Sequence, residues 1–262
     1  MRVEKIPAYE LDFDKNGIDS EGKKHTRIKK SVEIPGEKVF MDYIETHPAS
    51  GDESYFYKMK VAKDQIVLHY TMGYLKGDIA ALTKPNTHVS VSYLIGRNGT
   101  IYNLFPSYYW SYHLGEGAVG GNRIRSRATV AIELSNIGPL IKSGDHLVTT
   151  YGDTDIYCDI KQPEYCHKGV FRGYDYFARF TDQQYDSLII LLRYLTALYN
   201  IPREFLAEED CVAATSKVSS FKGIVSHANY RCQGKTDFGP CFDWEKVKNG
   251  VKAEKKSGFI LL

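Results

Sequence analysis

The sequence predicts an α/β protein with a central mixed β-sheet flanked by α-helices, and three stretches carry that expectation. "QIVLHY", from Gln65, is a short continuous apolar run of the kind a strand covered on both faces shows. "HVSVSYLI" and "TIYNLF" flank "GRNG", whose Asn98-Gly99 pair marks a tight hairpin. "FTDQQYDSLIILLRYLTALYNIP" has the period and the end signals of a long amphipathic helix. Buried strands, a hairpin and helices in alternation give a mixed sheet between helical layers.

The first sixty residues are charged, turn-rich and poorly periodic, so residues 1–60 read as an N-terminal extension of unknown role and 61–262 as the main domain. In the extension, "DFDKNGIDSEGK" places Asp12, Asp14, Asn16 and Gly17 as a calcium loop would. Its twelfth position, however, is Lys23 and not the bidentate Glu that closes such a shell. Asn16-Gly17 is therefore expected to turn a hairpin. After the strand ending on His69, "GDIAALT" suggests a short helix, and after the hairpin "RATVAIELSN" gives a strand carrying Glu133. Residues 139–180 lose periodicity and gather Gly, Asp, Tyr and two cysteines, as a long surface insertion would. In the long helix Thr181 and Gln184 form a capping box, Leu188, Leu191, Leu192, Leu195 and Leu198 make the buried stripe, and Asn200-Ile-Pro202 ends it. "GIVSH", from Gly223, is one more strand, delivering His227 at its end.

Composition narrows the function. Of the 262 residues 43% are hydrophobic and 25% charged, the balance of a globular chain. A formal net charge of +2 gives no field to hold nucleic acid as the main partner. The first thirty residues hold no apolar signal core and the closing "FILL" is too short to span a bilayer, so neither a secretory leader nor a membrane span is expected. Localisation stays open between the cytoplasm and release by a route without a signal. The twenty tyrosines suit strand and helix edges, or the lining of a sugar or peptide site. Five cysteines, Cys158, Cys166, Cys211, Cys232 and Cys241, are an odd number without a small-scaffold pattern, and reduced thiols are expected.

The chemistry concentrates in "SHANYRCQGKTDFGPCFDW", Ser226 to Trp244. Two histidines at strand exits, His69 and His227, plus Asp237 supply two imidazoles and a carboxylate. Three such ligands and a fourth position left for water are the shell of a catalytic zinc site. Spacing alone leaves the alternative that the two histidines, 158 positions apart, are unrelated structural residues. Lys235 lies two positions before Asp237, on the same side of an extended segment, where its ammonium would stabilise an oxyanion or else face solvent. Glu133, among apolar neighbours, would act as general base or as a strand-edge ion-pair partner. His88, His146 and His167 do not end clean strands and are assigned polar-network or surface roles. Arg123, Arg125 and Arg127 precede the Glu133 strand, either as contacts for acidic substrate groups or as a solvated loop.

"IVLHYT", "SVSYLIGRNGTIYNLF", "SYHLG", "TVAIELSN", "FTDQQYDSLIILLRYL" and "IVSHANYRCQGKTDFGPCFDW", in this order over about residues 64 to 247, resemble the zinc-dependent N-acetylmuramoyl-L-alanine amidases, the family of phage endolysins, anhydro-muropeptide amidases and peptidoglycan recognition proteins. The resemblance implies an amidase-like fold, Zn2+ on His69, His227 and Asp237, Glu133 as general base, Lys235 as transition-state stabiliser and His113 in the substrate groove. It makes 61–262 a zinc amidase domain with an insertion at about 139–180. Departures are Phe238 within Asp237-Phe238-Gly239-Pro240, where the family commonly has proline, Ser92 in place of a frequent histidine, and Cys241 in place of a small residue. Cys241 is expected to be a packed, unligated thiol, with zinc ligation or pairing to Cys232 as alternatives.

The expected reaction is hydrolysis of the amide between N-acetylmuramic acid and L-alanine, with peptidoglycan or a muropeptide as partner. A binding module that holds wall fragments uncut, and a zinc peptidase cutting within the stem peptide, are the rivals. Oligomeric state is not legible.

Overall fold

The structure, a computed structural model, describes residues 1–206, 217–231 and 234–252. Cys211, Cys232 and the closing "FILL" lie outside the described residues.

In chain order the elements begin with α1 (Ile6–Asn16), β1 (His25–Glu33), β2 (Phe40–Pro48), β3 (Gln65–Tyr70), α2 (Leu75–Leu82), β4 (Tyr93–Ile95) and β5 (Ile101–Asn103). Then come α3 (Asn122–Ala128), β6 (Thr129–Leu134) and five short strands, β7 (Pro139–Ser143), β8 (His146–Thr149), β9 (Ile156–Asp159), β10 (Cys166–Phe171) and β11 (Tyr174–Ala178). The chain continues through α4 (Asp182–Tyr199), α5 (Lys217–Ser220), β12 (Gly223–Ser226), α6 (His227–Tyr230) and α7 (Trp244–Lys252).

Seven strands form the central mixed sheet in the order β1-β2-β5-β4-β6-β3-β12. Every residue of β3 is buried, because β6 and β12 pair with it in parallel on its two sides and helices cover both faces. That explains its unbroken apolar run. The hairpin at Asn98-Gly99 joins β4 to β5, with Gly99 at φ 84°. On one face Leu188, Leu191, Leu192 and Leu195 of α4 pack against Ile66, Leu68, Val130 and Ile132. Each fully buried leucine contributes about 1.5–3 kcal/mol. Thr181 caps α4 in a reciprocal box with Gln184, and Asn200 ends it at φ 52°.

Two local expectations change, and Leu198, expected to close the buried stripe of α4, is exposed. Asn16-Gly17 closes a helix and not a hairpin: Gly17, at φ 62°, sends its N–H 2.7 Å to the Phe13 carbonyl. The left-handed conformation glycine adopts cheaply serves both purposes, so the dipeptide alone does not separate them. The calcium-like residues are spent elsewhere, Asp12 on Lys76 and Asn16, and Asp19 on a buried His25 at 2.9 Å. Residues 139–178 are not an irregular excursion but a second, antiparallel sheet in the order β10-β11-β7-β8-β9. Its strands are four to six residues long, and two of its pairings shift register, which breaks the alternation a sequence would show.

Residues 25–48 lie in the main sheet, β2 pairing in parallel with β5 at Ile44↔Tyr102 and Glu45↔Asn103. The second sheet shares an apolar cluster with Val3 and Ile6. Arg125 sits in α3, buried, donating to the Tyr230 hydroxyl and to Asp64, both at 3.0 Å, so it ties elements together and is not part of a solvated loop. Among the described residues no helix is long and apolar enough to cross a membrane.

Candidate metal centre and active site

The parallel strands β3, β6 and β12 end on one edge of the sheet, and each delivers a functional side chain there. Register puts His69 directly beside Glu133, and β12 runs straight into His227. Parallel neighbours in register project to the same face, so the imidazole and the carboxyl share one cavity.

His69, His227 and Asp237 are all buried, at 1%, 4% and 6% exposure. Their donor atoms converge: Nδ1 to Nδ1 is 2.9 Å, and Asp237 Oδ2 lies 3.3 Å from His227 Nδ1 and 3.7 Å from His69 Nδ1. Tetrahedral ligands at zinc bond lengths stand about 3.3 Å apart. The observed edges bracket that spacing. Each ring is held by its far nitrogen, His227 Nε2 at 2.9 Å from the Leu114 carbonyl and His69 Nε2 at 3.0 Å from His113 Nδ1. A carbonyl only accepts, so His227 carries its proton on Nε2 and turns the Nδ1 lone pair inward. Burial, with His227, His113 and Lys235 nearby, holds His69 well below the usual histidine range, in the neutral form a metal needs. This donor set fits a divalent cation of zinc's preferences, and it is the one such group among the described residues.

Glu133 Oε2 is buried without a hydrogen-bond partner. Burial first, then the carboxylates of Asp237 and Asp78, push it well above the usual carboxyl range, while the Lys235 ammonium pulls the other way. A cavity of about 260 Å³ is lined by His69, His113, Glu133, His227, Lys235 and Asp237. Every site residue expected from the sequence therefore faces one space, and Tyr112 and Met72 join them on its wall.

Asp237 is held by its surroundings. Its carbonyl accepts from Ala228 N–H at 3.2 Å, and Tyr70 Oη donates to Thr236. Where the family commonly has proline, Phe238 is fully buried, its ring 4.2 Å from Phe242, 5.4 Å from Phe180 and 5.7 Å from Tyr70. Aromatic packing thus anchors a loop that a proline ring would have stiffened. The Cys241 thiol meets the Ala178 carbonyl at 3.5 Å and stands outside the metal group. His88 stacks on Tyr57 at 4.1 Å, His146 bonds Asp159 at 2.5 Å, and His167 lies on β10, so none reaches the site. No sequence signal points to the Leu114 carbonyl or to Thr129, since a backbone acceptor and a threonine opening a strand look ordinary.

No curated protein sequence matches the chain. It is similar in structure to the E. coli N-acetylmuramyl-L-alanine amidase AmiD in complex with anhydro-N-acetylmuramic acid-L-Ala-D-gamma-Glu-L-Lys, at 25% identity and a TM-score of 0.47, over 84% of this chain and 65% of that one. AmpDH3 from Pseudomonas aeruginosa is similar at 16% identity and a TM-score of 0.45, over 74% of this chain and 61% of that one. The endolysin amidase LysCS from Clostridium intestinale follows at 19% and 0.39, over 73% and 84%. A sequence model of the N-acetylmuramoyl-L-alanine amidases matches residues 58–240, well over half the chain, and the chain belongs to that family of peptidoglycan amide hydrolases.

Proposed function

We propose that the chain hydrolyses the amide between N-acetylmuramic acid and L-alanine as a zinc enzyme, with the metal held by His69 Nδ1, His227 Nδ1 and Asp237. The observation that carries this reading is the inward convergence of two imidazole nitrogens and a carboxylate, all buried, beside a carboxyl with no partner of its own. Zinc bound there supplies a Lewis acid that lowers the pKa of its water to about 7 and polarises the scissile carbonyl.

The remaining work falls to the chain's own groups. Glu133, with its high proton affinity, takes the proton from the attacking water and passes it to the departing amine of L-alanine as the carbon–nitrogen bond breaks. Lys235, on the cavity wall, places its ammonium where negative charge develops on the carbonyl oxygen. The aromatic anchor at Phe238 keeps Asp237 in place between these two functions. His113 lines the same cavity, on the side of the two imidazoles. Residues 61–262 carry the catalytic unit, and residues 1–60 buttress it through the sheet and the shared cluster.

The test is digestion of a purified muropeptide with zinc-loaded protein, read by mass spectrometry. Free stem peptide beginning with L-alanine, abolished by a chelator and restored by zinc, is the expected result. A shortened peptide still attached to the sugar would instead identify a stem peptidase. Retention of substrate without cleavage would identify a binding module.

A further inference from the structure

We propose that the segment 111–115, "SYHLG", is a clamp that fixes the proton positions of both ligand imidazoles, with His113 as a positioning residue oriented by Thr129. The proposal rests on the zinc reading of His69, His227 and Asp237.

Hydrogen-bond direction can be followed from one group that only accepts. Thr129 Oγ1 lies 2.9 Å from the Arg125 carbonyl, so the single hydroxyl proton is committed there. The same oxygen lies 2.8 Å from His113 Nε2 and must accept, which places the His113 proton on Nε2. His113 Nδ1 is then a bare acceptor, and at 3.0 Å it takes the Nε2–H of His69. His69 Nδ1 is left with its lone pair pointing into the donor triangle. The next residue completes the pair, because the Leu114 carbonyl imposes the same proton position on His227. Two adjacent residues thus hold both rings in the tautomer that coordinates through Nδ1, His113 by its side chain and Leu114 by its backbone.

The clamp is itself braced. The His113 N–H donates to Ser126 Oγ at 3.3 Å, and Ser126 donates to Asn122 Oδ1 at 2.9 Å, so α3 supports the segment. Gly115 adopts φ 76°, a left-handed conformation that glycine takes at little steric cost, and this is why the turn after the clamp is glycine.

The experiment combines two readouts on the full chain. Long-range proton–nitrogen NMR of zinc-loaded protein at about pH 8, where imidazoles are neutral, reads the His113 tautomer directly. An Nε2–H tautomer is expected, and an Nδ1–H tautomer overturns the proposal whatever the metal does. Zinc affinity is then measured by chelator competition for wild type, His113→Leu, His113→Asn and Thr129→Val. Loss of an outer-shell partner weakens metal binding by about 10–100-fold, the loss expected for His113→Leu. His113→Asn, whose Oδ1 stands in for Nδ1, should regain most of it, and Thr129→Val should weaken zinc while mixing the His113 tautomers. Wild-type affinity in both His113→Leu and Thr129→Val refutes the clamp. Should His113→Leu fail to fold, Thr129→Val decides. A wild-type protein that binds no zinc defeats the metal reading instead, and the NMR tautomer still judges the clamp.

Discussion

Replacing Glu133 by glutamine separates catalysis from metal binding more cleanly than any other change. The side chain keeps its shape, and neither carboxyl oxygen belongs to the donor triangle of His69, His227 and Asp237. What disappears is the one buried, unpartnered carboxyl oxygen on the cavity wall among the described residues. General base catalysis contributes about 10²–10⁴-fold, and each tenfold is about 1.4 kcal/mol of barrier, so Glu133→Gln should raise the barrier by about 3–5 kcal/mol. Stability should move the other way. Burial first, and then the neighbouring Asp237 and Asp78, disfavour a charged Glu133 in the native site, and the neutral amide removes that penalty. Peptide release from a muropeptide, followed by chromatography, gives kcat; elemental analysis gives zinc per chain; a melting curve gives stability. A base role for Glu133 requires full zinc occupancy, an equal or higher melting temperature and the stated loss of turnover together. A variant that releases peptide within threefold of the wild-type rate refutes Glu133 as the base.

Asp237→Ala should leave two imidazoles that cannot retain the ion, giving a folded protein with sub-stoichiometric zinc after dialysis, and full occupancy by elemental analysis contradicts the ligand set. Lys235→Met should lower kcat by about 10²–10³-fold with KM nearly unchanged, the signature of an interaction made only in the transition state, and a KM effect alone counts against it. Asp78 offers a pH test. Burial raises its pKa from 3.8 to about 7, even with Ser135 donating at 2.5 Å. The native state therefore holds that proton more tightly than the unfolded chain. Its relative stability is intact below the unfolded value and is lost as pH rises through about 7. Asp78→Asn removes this loss, so its melting temperature relative to wild type should climb between about pH 4 and about pH 8, and a constant gap refutes the assignment.

What could be read from the sequence follows from how many physical constraints bear on each segment. The long helix from Thr181 to Asn200 is specified three times over, by a capping box, a leucine stripe and a left-handed terminator, and it appears as expected except that Leu198, the last leucine of the stripe, is exposed. The strand carrying His69 is legible because burial on both faces leaves no solvent-facing position to break up its apolar run. β1 shows the opposite case. As the sheet's edge it is mostly exposed, with lysines and an arginine along it, and such a sequence looks like a charged extension. The second sheet was hidden for a related reason, since strands of four to six residues with register shifts carry too few alternations to register as a period.

The site divides along the same line. His69, His227, Asp237, Lys235 and Glu133 are visible as candidates because strand exits, a carboxylate in an apolar strand and a broken loop concentrate chemistry-bearing side chains, and the resemblance implies their roles. The groups that orient those side chains leave no such trace. Leu114 acts through a carbonyl that every residue possesses, and Thr129 through a hydroxyl whose direction depends on the end of α3, an element the arginine-rich stretch 122–128 did not announce. His113 lies between the two classes. Its residue type drew attention in the sequence, but its role depends on which nitrogen carries the proton, and two groups distant in sequence, Thr129 and the Arg125 carbonyl, set that. The candidate ligands can therefore be picked out from one-dimensional pattern, whereas the tautomers proposed for them depend on the packed core. The effect of Thr129→Val on zinc affinity, at a residue that touches neither metal ligand nor substrate by hydrogen bond, measures how far the second depends on the first.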